Sequence, residues 1–304
     1  MIKRTLFFGN PAYLSTRNEQ LVVKLTDAQT QEEVVKTVPI EDLGVVVLED
    51  RQITITNGAM DALLENNCAV VTCDEKHMPA GLLLPLEGHT VQSERFRQQI
   101  EATLPLKKQL WQQTVAAKIH NQAALLRKLY GTEVRNMVAW SNSVKSGDSE
   151  NLEGRAAAYY WRNMFVDAEV FKRDREGDAP NNLLNYGYAI LRAVVARALV
   201  ASGMLPTFGI HHHNRYNAFC LADDIMEPYR PYVDELVAGI VASEVDCSVL
   251  NTELKRKLLG VPVIEVIIGG QRSPLMVAVT QTTASLAKCF SGELRKIVYP
   301  EMDL

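Results

Sequence analysis

The chain has 304 residues, of which 47% are hydrophobic and 22% are charged, and its formal net charge is −4. These values exclude collagen-like, low-complexity and disordered proteins, and no apolar run reaches the roughly 20 residues that a membrane-spanning helix needs. The N-terminal residues lack the apolar core and the small-residue cleavage site of a signal peptide. We therefore expect a soluble cytoplasmic protein that does not enter a membrane.

Residues 1–85 carry the pattern of a β-rich domain. Short β-branched runs separated by polar or turn-like segments predict strands at 21–25, 34–40, 43–49, 53–56, 68–73 and 80–86. One helix interrupts the strands, with Thr56-Asn57 as its cap and Ala59, Leu63 and Leu64 on its apolar side. Short strands at regular spacing favour a β-sandwich-like domain or a small barrel.

Residues 86–93 predict a linker, and residues 94–304 predict a larger all-α domain. Pro105 marks a break or a start in the first helical stretch, and Gly131 is placed to end it. Further helical patterns cover 151–171, 181–204, 226–243, the segment around 252–260, and 276–294. The segment 181–204 is apolar nearly all round, which indicates a buried central helix. The predicted fold class is therefore α+β.

The segment from Arg95 to Arg135 is basic, although the whole chain is acidic. It holds eight lysine and arginine residues and two glutamates, a local charge of +6. One interpretation is an ordinary solvated helical face, and the other is a surface that binds DNA phosphates. The candidates for phosphate binding are Lys107, Lys108, Lys118, Arg127 and Lys128.

Glu153 has an unusual position in its predicted helix. Small or apolar residues follow it at i+3, i+4, i+7 and i+11, namely Ala156, Ala157, Tyr160 and Met164. This spacing puts the carboxylate on the apolar face of the helix, where a charge is costly unless it is paired or binds a metal. The alternative is a half-exposed carboxylate that interacts with the helix N-terminus.

A second group of polar residues lies between 209 and 231. It consists of His211, His212, His213, Asp223, Asp224 and Glu227. Asp224 and Glu227 face the same way if helical, and two close carboxylates repel each other unless a cation lies between them. Histidine with carboxylates suits Mg²⁺ or Mn²⁺. Zinc is the rival metal, but Cys220 has no second cysteine at ligand spacing.

Other catalytic templates are missing from the sequence. GxSxG, HExxH, the P-loop and GxGxxG are all absent. Gly269-Gly270 follows the apolar run 263–268 without a GKS/T sequence, so we interpret the pair as a turn.

Four motifs stand in a fixed order along the chain. They are NLEGRAAAYYW (151–161), N-x-L-x-Y-x-Y-x-x-L (182–191), GIHH (209–212) and DDIMEPYRP (223–231). A β-rich N-terminal domain followed by a helical domain with these motifs resembles the Cas-one family of CRISPR-associated spacer-acquisition integrases and endonucleases. The resemblance covers essentially the whole chain, and LADDIMEPYRP is most similar to members from type II systems.

The resemblance implies a metal site made by a glutamate, a histidine and a final acidic residue. These positions match Glu153, His212 and Glu227, with Asp224 in support and His211 as the alternative histidine. The implied metal is Mg²⁺ or Mn²⁺. The implied reaction is attack by the 3′-hydroxyl of a captured DNA duplex on a phosphodiester of a CRISPR repeat, and the reverse reaction cuts branched DNA.

The resemblance also implies several partners. They are double-stranded DNA, a second copy of the chain bound through residues 1–85, and a small dimeric Cas-two protein in a heterohexamer. The effector nuclease of a type II system is a further candidate partner. The residues alone leave two alternatives: a non-catalytic scaffold that binds DNA, and a metal-dependent phosphoesterase for small molecules. The basic segment favours a long polyanion over a small substrate.

Overall fold

The computed structural model describes residues 3–26, 32–165, 171–174, 176–243 and 245–304. The chain forms two compact units, Met1–Gly88 and His89–Leu304. The division falls inside the segment 86–93 that the sequence predicts as a linker, and a helix already begins at Gln92.

The described part of the first unit holds two four-stranded sheets and one helix. The strands are β1 Arg4–Phe8, β2 Tyr13–Arg17, β3 Gln20–Thr26, β4 Glu33–Pro39, β5 Leu43–Leu48, β6 Thr54–Ile55, β7 Ala69–Cys73 and β8 Pro79–Leu83, and the helix is α1 Asn57–Glu65. The strand orders are β1-β5-β7-β8 and β4-β3-β2-β6. In the first sheet the central strand β5 pairs in parallel with β1 and β7, and its apolar run is buried.

Each predicted strand in residues 1–85 overlaps an observed strand, and the predicted cap of α1 is confirmed. The Thr56 hydroxyl accepts a hydrogen bond from the amide of Ala59 at 3.3 Å. The strands β1 and β2 were not predicted. β2 carries polar side chains, and its extended form depends on pairing with β3 and β6. One apolar core joins residues of both sheets and α1, among them Leu14, Leu21, Leu43, Val46 and Leu63.

The second unit is mostly helical, as predicted. Its helices are α2 Gln92–Glu101, α3 Leu104–Tyr130, α4 Arg135–Ser143, α5 Leu152–Asn163, α6 Asn181–Ala201, α7 Cys220–Met226, α8 Arg230–Ala242, α9 Thr252–Leu258 and α10 Leu275–Phe290. Thr103 caps α3 through its hydroxyl, Pro105 lies in the first turn, and Gly131 ends the helix with φ +61°. The predicted helix 151–171 ends earlier, at Asn163, and residues 166–170 lie outside the described residues.

The helical unit also contains a short hairpin, so the all-α prediction for 94–304 is too strict. Strands β9 Glu265–Ile268 and β10 Gln271–Pro274 pair antiparallel. The predicted turn at Gly269-Gly270 joins them, with φ of +57° and +75° at the two glycines. A two-residue hairpin turn with both φ values positive favours glycine, because a side chain is strained there.

The helix α6 is long and apolar enough to cross a membrane by length and composition alone. Most of its apolar stretch is buried inside the protein, which is what a core helix shows. This burial agrees with the central helix predicted for 181–204.

Candidate active site

Glu153 lies in the first turn of α5, and two side chains cap that turn. Asn151 accepts a hydrogen bond from the amide of Gly154 at 3.2 Å. Asp148 accepts from the amides of Leu152 and Glu153 at 2.9 and 3.0 Å. These bonds satisfy amide groups that a helix start otherwise leaves without partners. The backbone of Glu153 is therefore held in one position.

Asp224 organises the loop that carries the histidines. Its carboxylate is fully buried, and Oδ2 accepts from the amides of Ile210 and His211 at 2.7 and 2.9 Å. Oδ1 accepts from the amide of His212 at 3.3 Å and lies 2.5 Å from the His212 Nδ1 atom. A Cβ at Gly209 would lie 2.4 Å from the carbonyl oxygen of His212. Glycine therefore allows this loop to close on Asp224.

The three consecutive histidines have different environments. The His211 ring stacks on Trp111 of α3, with ring centroids 4.2 Å apart and planes 4° apart. His212 meets Trp111 edge-on at 5.7 Å, and its side chain, like those of His211 and His213, is exposed. Because Asp224 binds Nδ1 of His212, Nε2 is the ring nitrogen that remains for a ligand, as in metal sites where a carboxylate orients the histidine.

Glu227 begins the 3₁₀ turn Glu227–Tyr229 that leads into α8, and its side chain is only 5% exposed. The Arg230 Nη2 atom lies 3.0 Å from Glu227 Oε1. Asn121 of α3 donates from Nδ2 to the carbonyl of Pro228 at 2.8 Å. The turn that presents Glu227 is therefore fixed to α3.

Asn121 also fixes a second segment to α3. Its Nδ2 donates to the carbonyl of Pro300 at 3.0 Å, and its Oδ1 accepts from the amide of Met302 at 3.0 Å. Two turns earlier along this side of α3, the Thr114 hydroxyl lies 2.8 Å from the Tyr299 hydroxyl. The segment 299–302 and the Glu227 turn thus meet on one helix.

Lys118 of α3 joins the two glutamates. Its Nζ lies 2.7 Å from Glu153 Oε1 and 2.7 Å from Glu227 Oε2. It donates a hydrogen bond to Glu153, but its contact with Glu227 is an ion pair without hydrogen-bond geometry, so the buried Oε2 atom has no hydrogen-bond partner. Over the described residues, no three His, Cys, Asp or Glu side chains have the spacing of a metal site. The carboxylates are spaced around an ammonium group.

The charges of the site stabilise one another. Burial raises the pKa of Glu227, but Arg230 and Lys118 outweigh burial and hold that pKa below its usual value. Burial likewise lowers the pKa of Lys118, but Glu227 and Glu153 raise it overall. The hydrogen bond to Asp224 is the main reason that the pKa of His212 is raised, while burial opposes it. At neutral pH Glu227 is therefore a carboxylate and Lys118 an ammonium.

The residues present suit the metal that the family resemblance implies. Two carboxylates and an imidazole are ligands that Mg²⁺ and Mn²⁺ accept. Glu227 Oε2 is a buried carboxylate oxygen without a hydrogen bond, and His212 already has the supporting carboxylate that metal-bound histidines need. Glu153, His212 and Glu227 would hold such an ion, whereas Asp224 is fully engaged by the histidine loop.

The five basic candidates for DNA binding do not share one surface of α3. Lys107, Trp111 and Lys118 are spaced i, i+4 and i+11, so Lys107 lies on the same side of the helix as the site. Arg127 follows Lys118 by nine positions and lies on the opposite side. Lys128 pairs with Glu235 at 2.5 Å, and Lys108 is exposed. The Lys118 side chain is 11% exposed and ion-paired, so it does not stand on a solvated face.

Sequence reasoning missed the roles of Lys118, Arg230, Trp111 and Asn121. A signal for Lys118 exists in the sequence, since it follows the residues Trp111, Thr114 and Val115 at the spacing of one buried face. A lysine on such a face needs an anionic partner. No local pattern identifies the partners, because Glu153 and Glu227 belong to other helices.

Comparisons with known proteins agree with this architecture. A family model described as CRISPR associated protein Cas1 matches residues 6–248. A CRISPR-associated endonuclease Cas1 from Neisseria meningitidis is 38% identical over 236 residues, which are 77% of this chain and 74% of the relative.

Solved structures share the fold at low sequence identity. A casposase bound to an integration product has a TM-score of 0.79 at 19% identity, over 98% of this chain and 92% of the other. A Cas6-RT-Cas1–Cas2 complex has a TM-score of 0.77 at 21% identity, over 99% of this chain and 36% of the other. Since the family model spans most of the chain and the relative from Neisseria meningitidis is 38% identical, this protein belongs to the CRISPR-associated protein Cas1 family.

Proposed function

We propose that this protein is a metal-dependent DNA integrase and endonuclease that inserts short captured duplexes into a CRISPR array. The observation that carries this proposal is the meeting of Glu153 and Glu227 on one ammonium group, with His212 oriented by Asp224. The names of the relatives support it, because one is a CRISPR-associated endonuclease and another is a casposase bound to an integration product.

In the proposed reaction the 3′-oxygen of the captured duplex forms a bond to a phosphorus atom of the repeat, and the 3′-oxygen of the cut strand leaves. Glu153, His212 and Glu227 would hold Mg²⁺ or Mn²⁺, which supplies stabilisation of the charge on the phosphate and orientation of the attacking hydroxyl. The protein itself contributes placement. Asp224 fixes the His212 ring, the caps of α5 fix Glu153, and Arg230 keeps Glu227 ionised.

The proposal includes the partners implied by the family. Double-stranded DNA is the substrate, and a small dimeric Cas2 protein completes a heterohexamer in the cytoplasm, with the type II effector nuclease as a further partner. The Cas1–Cas2 complex of similar fold supports a Cas2 partner. We also propose that residues 1–85 form the homodimer contact. Sedimentation should then show a dimer for the full chain and a monomer for residues 94–304.

The decisive experiment is joining of a labelled duplex to a repeat-bearing plasmid, with the Cas2 partner supplied. We expect joining to need Mg²⁺ or Mn²⁺ and a free 3′-hydroxyl, and Glu153→Gln to abolish it. Glu133→Gln is the matched control, because this glutamate is exposed and pairs with Arg135 at the surface. Equal joining of a 3′-blocked duplex, or wild-type joining by Glu153→Gln, would contradict the proposal. DNA binding without joining or cleavage would favour a scaffold.

A further inference from the structure

The contact of Lys118 with both glutamates has a consequence for metal binding, and this inference rests on the proposed function. Four ionised side chains meet here: the carboxylates of Glu153 and Glu227 and the cations Lys118 and Arg230. Their charges cancel. A divalent cation added to this group would face two fixed cations close by, which opposes its binding at the reduced dielectric of a buried site.

The ammonium of Lys118 bridges the two carboxylates. The backbone segments that carry these carboxylates are held in place by hydrogen bonds. Asn121, on the next turn of α3, binds the carbonyl of Pro228 beside Glu227. Asp148 and Asn151 fix the start of α5 beside Glu153. A long, unbranched lysine side chain is the flexible member of this arrangement, and it can change its rotamer without moving any helix.

The two contacts of the ammonium are equally short, 2.7 Å each, and differ only in alignment. Lys118 donates a well-aligned hydrogen bond to Glu153 Oε1, whereas its ion pair with Glu227 Oε2 is poorly aligned. Arg230 remains on the other oxygen of Glu227 at 3.0 Å. A cation that binds between the two carboxylates must therefore displace the ammonium from both of them.

We propose that Lys118 is an internal counter-cation, which holds Glu153 and Glu227 together when no divalent ion is bound and which that ion must displace. Lys118 is thus a positioning residue, not a ligand. It prevents two buried carboxylates from repelling each other, and it lowers the affinity of the site for a free divalent ion.

The test is the affinity of purified full-length protein for Mn²⁺ alone, measured by calorimetry and by electron paramagnetic resonance. Lys118→Met removes the charge and keeps an unbranched side chain that is one atom shorter. We expect this variant to bind Mn²⁺ at least about tenfold more tightly than the wild type, because no ammonium has to be displaced. Without metal, its melting temperature should be lower than that of the wild type, since the buried carboxylates lose a partner. Mn²⁺ should raise the melting temperature of the variant by more than it raises that of the wild type.

Two variants serve as controls. Lys118→Arg keeps the positive charge and should bind Mn²⁺ no more tightly than the wild type. Lys257→Met removes a lysine that pairs with Glu253 at 3.6 Å on α9, away from the site, and should leave Mn²⁺ affinity unchanged. A folded Lys118→Met variant with wild-type or weaker Mn²⁺ affinity overturns the proposal.

A measurement on the wild type covers the case in which Lys118→Met does not fold. In protein labelled with ¹³Cε-lysine, the Lys118 signal is identified by its absence from Lys118→Arg. Saturating Mg²⁺ should shift this signal towards the position of a solvated lysine. If other signals show that Mg²⁺ binds and the Lys118 signal stays unchanged, the ion does not displace the Lys118 ammonium and the proposal is wrong.

The outcomes separate this inference from the proposed function. If Mn²⁺ binding to the wild type is lost in Glu153→Gln but unchanged in Lys118→Met, the metal site stands and only the role of Lys118 fails. If the wild type binds no Mn²⁺ and joins DNA without a divalent ion, both the metal site and the role of Lys118 fail.

Discussion

The carboxylate of Asp224 holds His212 from two sides, at the ring Nδ1 atom at 2.5 Å and at the backbone amide at 3.3 Å. The ring and the backbone of this histidine are therefore oriented by one buried group. Asp224 acts on His212 as a positioning residue, while Glu227, one turn later, faces Lys118 and Arg230. Two carboxylates of one motif thus have separate tasks.

Asp224→Asn should lower joining activity and Mn²⁺ affinity by about 10- to 100-fold, the usual cost of losing a carboxylate that supports a metal-bound histidine. The amide group of asparagine would place a donor against the amides that Asp224 now accepts from. Asp223→Asn is the matched control, because the Asp223 carboxylate accepts from the side chains of Arg192 and Asn217 and not from the backbone amides at 210–212. Equal losses in the two variants would show that the effect is general destabilisation.

The pKa values of His212 and His211 should lie on opposite sides of 6.5, the usual histidine value. The hydrogen bond to Asp224 raises the pKa of His212, and burial lowers the pKa of His211. Histidine NMR titrations of the wild type and of Asp224→Asn, assigned with His→Gln variants, measure both values. In Asp224→Asn the pKa of His212 should fall.

The raised pKa of His212 determines how the stability of the fold and the affinity for metal should change with pH. The pair with Asp224 stabilises the fold fully below 6.5, the usual histidine value, and this contribution is lost as the pH rises through the higher folded value. Metal binding needs a neutral imidazole, so Mn²⁺ affinity should fall as the pH drops below the folded value. The range from pH 6 to pH 8, about two pH units, includes the usual histidine pKa and higher values. A constant Mn²⁺ affinity over this range would contradict His212 as a ligand.

Much of the fold follows from local pattern, and less of the site does. The cap at Thr56, the stop at Gly131 and the turn at Gly269-Gly270 were all predicted, because each depends on residues adjacent in sequence. Strand β2 was missed because most of its side chains are polar, and its backbone is extended only through pairing with β3. The same limit applies to Lys118, whose interpretation as a DNA contact considered its charge without its distant partners.

The two glycines Gly209 and Gly239 should respond oppositely to alanine. At Gly209 a Cβ would lie 2.4 Å from the carbonyl oxygen of His212 and 2.8 Å from Asp224 Oδ2, so Gly209→Ala should destabilise the fold by about 1–3 kcal/mol. At Gly239, which is exposed on α8, a Cβ meets nothing within 4 Å. Gly239→Ala should therefore stabilise the protein by about 0.5–1 kcal/mol through helix propensity. Urea unfolding measures both changes, and a neutral Gly209→Ala would contradict the tight loop.

Lys107 and Arg127 should differ in their effect on DNA binding. Lys107 lies on the same side of α3 as Trp111 and Lys118, whereas Arg127 lies on the opposite side. Lys107→Gln should weaken duplex binding and reduce the slope of log affinity against log salt by about 1. Arg127→Gln should leave both nearly unchanged in the same fluorescence-anisotropy titration. A larger effect at Arg127 would place the DNA on the other side of α3.

The bonds of Asn121 to Pro300 and Met302 can form only late in synthesis, because these two residues are translated after the other residues of the site. A nascent chain that has left the ribosome as far as Phe290 already contains Glu153, His212 and Glu227. It lacks the segment 299–302, so the Asn121 side chain binds the Glu227 turn without its bonds to Pro300 and Met302. The turn that carries Glu227 therefore gains its full set of contacts on α3 only when translation has passed residue 302.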